Sequence, residues 1–280
     1  MNIQAALKKG QSILIGNNVS SAQLDCEILM SKALGKDKKF LILNLGKPIT
    51  KKNFDYFNFL IQERAKHKPI AYLTKKKDFW KYEFAINENV LIPRPDTEVL
   101  VEQVLKLTKN RNQLKILDIG IGSGCILMSI LKEKKDYLGT GIDISNKSLK
   151  ISQINSHKLG VKNRLKLYKS NIDNFNYGKY DLIVSNPPYI KKNFLKYLDK
   201  DISFEPRHAL EGGLDGLSEI RKVINKSSEL IKKNGYLFLE IGFDQTNKIK
   251  KILKNKGFYT KKVVKDLSNH DRCIISVKLR

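Results

Sequence analysis

Strand-like and helix-length segments alternate regularly over the C-terminal two thirds of this chain. Apolar, β-branched runs lie at 114–119, 137–143, 164–169, 180–185, 235–241, 259–265 and 273–279. Helix-length segments separate most of these runs, and this alternation predicts an α/β fold with a mostly parallel sheet. Only a short loop separates the last two runs. We therefore expect one of the seven strands to run antiparallel.

The N-terminal part has a different pattern. Apolar residues recur three and four positions apart up to about residue 73, with breaks at Gly16, Gly35 and Gly46. This spacing predicts about four short helices in an all-helical domain, residues 1–75. Nothing in the N-terminal MNIQAALKKGQSILI indicates a signal peptide or a membrane span, so we expect a cytoplasmic protein.

A linker is expected over residues 76–96. The stretch DFWKYEFAINENVLI alternates apolar and polar positions, which predicts a β-hairpin with its turn at Asn87-Glu88-Asn89. Pro93 and Pro95 precede a predicted helix over 97–108, which begins the α/β domain, residues 97–280.

A glycine-rich turn follows the first strand of the predicted sheet. In KILDIGIGSGCILMSIL the strand ends at Ile119, and glycines follow at 120, 122 and 124 before an apolar helix. Such a turn admits a ligand close to the backbone and to the N–H groups of the next helix. The next strand, GTGIDIS, ends in Asp143, at a position where a carboxylate binds the ribose hydroxyls of an adenosine.

The spacing of the glycines in this turn distinguishes between two classes of cofactor site. Asp118-Ile-Gly120-Ile-Gly122-Ser-Gly124 departs from the G-x-G-x-x-G pattern of dinucleotide sites. It resembles the first motif of Rossmann-like methyltransferases, which implies S-adenosylmethionine as cofactor. A hydride-transfer enzyme stays the less favoured alternative. The predicted cofactor residues of this region are Asp118, Gly120, Ile121, Gly122, Ser123, Gly124 and Asp143.

The segment VSNPPYI places Asn186, Pro187, Pro188 and Tyr189 directly behind a buried strand. If that strand lies beside the first, both loops border one crevice. A conjugated nitrogen is a poor nucleophile, and the Asn186 oxygen with the Pro187 carbonyl would orient its two N–H groups. Tyr189 would stack on the flat substrate group. We therefore predict Asn186, Pro187 and Tyr189 as catalytic, the whole tetrapeptide as substrate-binding, and Asn186 as also contacting the cofactor.

Several further motifs resemble one family over nearly the whole chain. These are AQLDCEILMSKALG, ERAKHKPIAYLT, VLIPRPDTEVLVE, NPPY, FEPRHALEGGLDGL and NHDRCIISVKL. Together they resemble the release-factor glutamine methyltransferases, which act on the glutamine of the Gly-Gly-Gln loop of class I peptide chain release factors. The resemblance implies a seven-stranded Rossmann-like methyltransferase domain and an N-terminal domain that recognises the substrate. The family often has an aromatic residue near position 172, whereas here Asn171 and Ile172 are expected beside the adenine.

Two other functions fit parts of the sequence. The net charge of +25 and the tetrapeptide also suit an adenine-N6 methyltransferase of DNA or RNA, but no basic or aromatic recognition insert is visible. The lysines are dispersed, so nucleic acid is not required as a partner. A catalytically silent cofactor-sensing module is a third possibility. Three cysteines and four histidines show no metal-ligand spacing, so no metal is expected.

Overall fold

The computed structural model describes residues 1–279 and divides into two compact units. The first contains Met1–Lys76 and the short segment Asp199–Phe204. The second contains Lys77–Leu198 and the chain from Glu205 onward. The segment Asp199–Phe204 is remote in sequence from the rest of the first unit, so boundaries drawn at residues 75 and 96 do not include it.

The first unit is helical and contains one helix more than the pattern predicted. Its helices are α1 (Ile3–Gly16), α2 (Ala22–Leu34), α3 (Lys38–Leu43), α4 (Lys51–Ala65) and α5 (Ile70–Thr74). Their apolar faces meet in a core that includes Leu14, Leu29, Met30, Phe57 and Ile61. Three of the helices begin at a side chain that accepts a backbone N–H: Asn2, Asp37 and Thr50.

The hairpin exists, but its turn lies elsewhere than predicted. Strands β1 (Lys76–Phe79) and β2 (Tyr82–Ala85) form a two-stranded sheet that turns at Trp80 and Lys81. Trp80 adopts a left-handed φ of 58°, and the Glu98 carboxylate accepts a hydrogen bond from its N–H over 2.7 Å. The prediction of a turn at Asn87-Glu88-Asn89 is therefore wrong. Those residues form a separate loop in which Asn87 accepts from the Asn89 N–H.

The second unit contains a seven-stranded sheet, which confirms the predicted fold class. Its strands are β3 (Lys115–Ile119), β4 (Leu138–Asp143), β5 (Leu165–Lys169), β6 (Tyr180–Ser185), β7 (Ile231–Glu240), β8 (Phe258–Lys265) and β9 (Asp271–Lys278). Their order is β5-β4-β3-β6-β7-β9-β8. The first five in this order pair in parallel, and β9 runs antiparallel to both of its neighbours.

Helices cover both faces of this sheet. They are α6 (Glu98–Leu107), α7 (Cys125–Glu133), α8 (Asn146–Lys158), α9 (Ser218–Leu230) and α10 (Thr246–Asn255). Residues of α6 and α7 share one buried cluster with Ile116 and Leu182, and residues of α9 and α10 share another with Leu117 and Ile183. Neighbouring strand residues thus point to opposite apolar layers. No helix within residues 1–279 is long and apolar enough to span a bilayer.

The strand order places a crevice beside β3. The chain runs from β3 to β4 and β5 on one side, and then crosses to β6 on the other. Ile119 and Ser185, the last residues of β3 and β6, are partners in the parallel register. The loops after both strands therefore begin side by side, at the switch point where open α/β sheets bind ligands.

Candidate active site

A cavity of about 520 Å³ lies at the carboxyl ends of β3, β4 and β6. This volume is within the range of small-molecule sites. It is lined by ten of the predicted site residues: Gly120, Ile121, Gly122, Ser123, Asp143, Asn171, Ile172, Asn186, Pro187 and Pro188. The other three, Asp118, Gly124 and Tyr189, do not line the cavity.

Both ends of the turn Gly120–Gly124 adopt a backbone conformation that favours glycine. Gly120 has a φ of +77° and Gly124 a φ of +83°, and side chains other than glycine rarely adopt such values. The space where a Cβ of Gly120 would lie is also open to 4 Å. Gly120 therefore leaves room for a ligand close to the backbone.

Asp143 holds this turn in place. Its Oδ2 atom accepts a hydrogen bond from the Gly122 N–H over 3.0 Å, and its Oδ1 atom accepts from the Ser145 N–H over 2.8 Å. Burial raises the pKa of the Asp143 carboxyl, and these two N–H groups oppose that rise. The carboxylate has acceptor positions left over, and it lines the cavity.

Two side chains of α8 bind the carbonyls of the same turn. The Ser152 hydroxyl donates to the Gly122 carbonyl over 2.7 Å, and the Asn155 Nδ2 donates to the Ser123 carbonyl over 2.9 Å. Asn155 also bridges to strand β2 through both backbone groups of Ala85. The turn is therefore preorganised by donors and acceptors that the motif itself does not contain.

Asp118 is a deeply buried carboxyl. The residue is 1% exposed, and the Leu127 N–H in the first turn of α7 interacts with its carboxyl without reaching regular hydrogen-bond geometry. Burial raises the pKa of Asp118 to about 8, and the nearby charge of Asp143 contributes to the rise. Burial of a carboxyl with so little hydrogen bonding favours its protonated form.

Asn186 belongs to a chain of hydrogen bonds that the sequence motifs did not reveal. Its Nδ2 atom lies 3.3 Å from the Thr97 Oγ1, and Thr97 Oγ1 lies 2.6 Å from the Glu240 Oε2. Glu240 Oε1 lies 3.3 Å from the Tyr189 hydroxyl, which in turn lies 3.2 Å from the Arg272 Nη1. These residues come from four separate parts of the chain.

The position of Tyr189 differs from the expectation that its ring stacks on the substrate. Its phenol is directed to Glu240 and Arg272 instead of the cavity, and burial raises the pKa of that hydroxyl. Its backbone carbonyl accepts from the Gln245 side chain over 3.0 Å. Both ends of Tyr189 are thus bound to the protein. The flanking Pro187–Pro188 bond is trans, since residues 1–279 contain no cis peptide bond.

Comparison with known proteins identifies the family. Residues 5–74 match the PrmC N-terminal domain, and residues 95–266 match the methyltransferase small domain. A release factor glutamine methyltransferase of Clostridium acetobutylicum is 38% identical over 99% of both chains. That of Caulobacter vibrioides is 32% identical over 93% of this chain and 91% of its own. The chain belongs to the release factor glutamine methyltransferase family.

Solved structures of low sequence identity share the fold. A methyltransferase from Pyrococcus furiosus matches with a TM-score of 0.55 and 19% identity, over 78% of this chain and 99% of its own. The ribosomal protein L11 methylase of Lactobacillus delbrueckii matches with a TM-score of 0.51 and 16% identity, over 73% and 90%. Both confirm the Rossmann-like methyltransferase fold.

The cavity fits the methyl donor of this methyltransferase family, S-adenosylmethionine, which the sequence predicted. The Asp143 carboxylate lines the cavity and has acceptor positions left for hydroxyl donors. The open side of Gly120 gives room for close approach to the backbone. Asn171 and Ile172, expected beside the adenine, line the same cavity as Asp143.

Sequence reasoning missed several residues of the site. Thr97 lies in the linker motif VLIPRPDTEVLVE, and Glu240 ends the apolar strand segment YLFLEIG. A single acidic residue at the end of a buried strand was the available signal for Glu240. Arg94, which lines the cavity, forms an ion pair with the buried Glu205, and Glu205 also accepts from the Ile92 N–H over 3.0 Å.

Proposed function

We propose that this protein transfers a methyl group from S-adenosylmethionine to the side-chain amide nitrogen (N5) of the glutamine in the Gly-Gly-Gln loop of class I peptide chain release factors. The observation that carries the proposal is the near full-length similarity to release factor glutamine methyltransferases. It is supported by a cavity that joins the glycine turn to Asn186, Pro187 and Pro188. No feature found within residues 1–279 favours the adenine alternative.

The chemical task explains the need for Asn186 and Pro187. The lone pair of an amide nitrogen is delocalised into its carbonyl, so the nitrogen reacts only when it is held in position. Asn186 Oδ1 and the Pro187 carbonyl would accept its two N–H groups and turn its free face to the methyl group. S-adenosylmethionine supplies an electrophilic methyl on a sulfonium. The nitrogen–methyl bond would form as the sulfur–methyl bond breaks, the bonding electrons would stay on the sulfur as a neutral thioether, and the proton lost by the nitrogen would pass to solvent.

The remaining site residues would hold the donor. Residues 120–124 would pack beside its methionine part, with Asp118 close to the ammonium group. Asp143 would accept hydrogen bonds from the ribose hydroxyls while keeping its bonds to the turn. Asn171 and Ile172 would contact the adenine. For Asp118 and Gly124, which do not line the cavity, these roles stay predictions from the motif alone, and for the other residues the position at the cavity supports them.

Substrate choice would depend on the other parts of the chain. We assign recognition of the release factor surface to the helical domain, residues 1–75. The hairpin linker, residues 76–96, would connect this domain to the catalytic domain. The catalytic domain would then be residues 97–280. Translation termination is a cytoplasmic process, and three free cysteines suit that reducing compartment.

One assay tests the proposal. Purified protein is incubated with methyl-labelled S-adenosylmethionine and one of three acceptors: a class I release factor, its Gly-Gly-Ala loop variant, or nucleic acid. We expect label in the intact release factor alone, and the modified glutamine is located by mass spectrometry. Equal labelling of the Gly-Gly-Ala variant, or labelling of nucleic acid instead, would overturn the proposal.

A further inference from the structure

We infer that Glu240 acts through Thr97 to set which end of the Asn186 side-chain amide faces the cavity, and that both are positioning residues for methyl transfer. This inference rests on the proposed function, in which Asn186 must present an acceptor to the substrate amide. An asparagine amide has an oxygen at one end and a donating NH₂ at the other. Its orientation must be read from the hydrogen-bond network around it.

The network has a fixed starting point at Arg272. A guanidinium can only donate hydrogen bonds. Its Nε and Nη2 atoms donate to the Asp266 Oδ2 over 3.0 and 2.9 Å, which fixes the plane of the group. Its Nη1 atom then donates to the Tyr189 hydroxyl oxygen over 3.2 Å.

Tyr189 transmits this direction to Glu240. The phenol has one hydrogen, and its oxygen already accepts from Arg272. The hydrogen is therefore directed to the Glu240 Oε1, 3.3 Å away. That carboxyl oxygen is an acceptor in this arrangement, as an ionised carboxylate requires.

Thr97 continues the chain on the other side of Glu240. Its hydroxyl lies 2.6 Å from the Glu240 Oε2, a charge-assisted distance. Because the ionised carboxylate cannot donate, Thr97 must use its single hydrogen there. The lone pairs of Thr97 Oγ1 are left to accept from Asn186, whose Nδ2 lies 3.3 Å away.

The consequence is a defined acceptor in the cavity. With Nδ2 bound to Thr97, Asn186 Oδ1 is at the opposite end of the amide and is free to accept an N–H of the substrate. If the Asn186 amide were inverted, its NH₂ would face the NH₂ of the substrate glutamine, and neither group could accept a hydrogen bond from the other. Thr97 and Glu240 are each 2% exposed. Bulk water therefore does not compete for these hydrogen bonds, and each keeps a defined donor and acceptor.

Glu240→Gln is the informative variant because it keeps the shape of the side chain and reverses the direction of the hydrogen bond to Thr97. Arg272 and Tyr189 still require an acceptor beside the phenol, so the new carboxamide turns its oxygen to Tyr189. Its NH₂ then donates to Thr97, and the Thr97 hydrogen is directed to Asn186. The Asn186 amide inverts, and its NH₂ faces the substrate NH₂.

We expect Glu240→Gln to lower kcat for release factor methylation about 100-fold, the usual loss when one polar contact to the reacting group is removed. The KM for the release factor and the Kd for S-adenosylmethionine should each stay within about threefold, because the binding contacts remain. Thr97→Val, which keeps the shape but removes the hydroxyl, should lower kcat similarly. Thr97→Ser, which keeps the hydroxyl, should retain kcat within about threefold.

A double variant tests the direction of the chain. Adding Tyr189→Phe to Glu240→Gln removes the group that holds the carboxamide oxygen, so the side chain can turn that oxygen to Thr97. We expect about tenfold recovery of kcat relative to Glu240→Gln alone. A double variant no better than Glu240→Gln would contradict the assigned direction.

Failure of the proposed function can be distinguished from failure of the inference about Glu240 and Thr97. If the wild-type protein does not methylate a release factor, the proposed function fails. If the wild type is active and both Glu240→Gln and Thr97→Val keep kcat within about threefold, the inference fails and the proposed function stands. If Glu240→Gln does not fold, Thr97→Val compared with Thr97→Ser decides the question.

Discussion

The backbone N–H of Gly122 donates a hydrogen bond to the Asp143 Oδ2 atom over 3.0 Å. This contact joins the two sequence motifs of the predicted cofactor site, the turn after β3 and the acidic end of β4. The same carboxylate accepts from the Ser145 N–H at its other oxygen. Asp143 is thus placed between two donors before any ligand binds.

Asp143→Asn should weaken binding of S-adenosylmethionine. A carboxamide has one acceptor oxygen, so its NH₂ would oppose either the Gly122 or the Ser145 N–H. Leaving one such donor unpaired costs about 1–3 kcal/mol. If the ligand-binding conformation of the turn loses this free energy, the Kd for S-adenosylmethionine rises roughly tenfold to hundredfold. Titration calorimetry measures this, with the exposed Asp55→Asn on α4 as control. An unchanged Kd in Asp143→Asn would mean that the turn is held by α8 alone.

Asp118 should make the cofactor-free protein less stable as the pH rises. Its folded-state pKa is about 8, whereas an unfolded aspartate titrates near about 3.9. Folding therefore takes up a proton between these values, and the favourable contribution of Asp118 is lost as the pH rises through this window. The free energy of unfolding of Asp118→Asn should exceed that of the wild type by a margin that grows by more than about 1 kcal/mol from pH 4 to 8.

Urea unfolding of both proteins at several pH values measures this margin. A saturating amount of S-adenosylmethionine provides a second comparison, because a cationic partner for Asp118 should reduce the margin. A constant difference between wild type and Asp118→Asn across the pH range would exclude a buried, proton-binding carboxyl.

Asn186→Ala should abolish methyl transfer while leaving most cofactor binding. The substitution removes the acceptor for the substrate amide but leaves the glycine turn and Asp143 intact. We expect kcat to fall at least about 100-fold and the Kd for S-adenosylmethionine to change by less than about threefold. Asn193→Ala, exposed in the following 3₁₀ segment, is the matched control. Near-normal turnover in Asn186→Ala would mean that other groups orient the glutamine.

The activity should fall at acidic pH because Glu240 must stay ionised. Burial raises the pKa of the Glu240 carboxyl, although Thr97, Arg272 and Tyr189 oppose the rise. As the pH falls through this raised pKa, the carboxyl gains a proton and Thr97 is free to donate to Asn186. The charged and titratable groups that interact with Glu240 are Asp96, Cys125, Tyr189, Arg272 and Cys273.

A pH profile of kcat checks this expectation. The acidic limb should have a midpoint above the ordinary glutamate pKa of about 4.3. Glu240→Gln has no proton to gain there, so the limb should be absent from its residual activity. An identical acidic limb in both proteins would assign the titration to another group.

The stability of the helical unit should depend on the buried ion pair between Arg64 and Asp25. Arg64 Nε lies 2.7 Å from the Asp25 Oδ2, and its Nη1 lies 2.9 Å from the Asp201 Oδ2. Removal of one partner from a buried pair leaves an uncompensated charge, which costs about 3–5 kcal/mol. Asp201 still pairs with Arg64 in Asp25→Ala, so we expect the free energy of unfolding to fall by less than this, by about 1–3 kcal/mol, measured in urea.

The double variant Asp25→Leu/Arg64→Met should regain most of that stability, since the one partner it leaves behind, Asp201, has a side chain that is 37% exposed and stays hydrated. Asp55→Ala, which removes an exposed carboxylate from α4, should change it by less than about 0.5 kcal/mol. A full loss in the double variant would show that packing, and not charge, is decisive.

The order of strands and helices, the helical N-terminal part and the motifs that line the cavity could all be predicted from the amino-acid sequence. These properties follow from local periodicity and from short segments such as 118–124 and 186–189, in which neighbouring residues act together. The hairpin turn was misplaced because the left-handed Trp80 depends on Glu98, a residue of another element.

The surroundings of Asn186 could not be predicted in this way, because they are formed by residues that meet only in the folded chain. Thr97 and Glu240 are 143 positions apart in the chain, and neither belongs to a motif that names a role for it. Tyr189 lies within the tetrapeptide, yet its hydroxyl is directed to Glu240 and Arg272 because the strand order brings β7 beside β6 and β9 beside β7. Hydrogen-bond direction depends on which donors and acceptors meet in space, and sequence spacing does not contain that information.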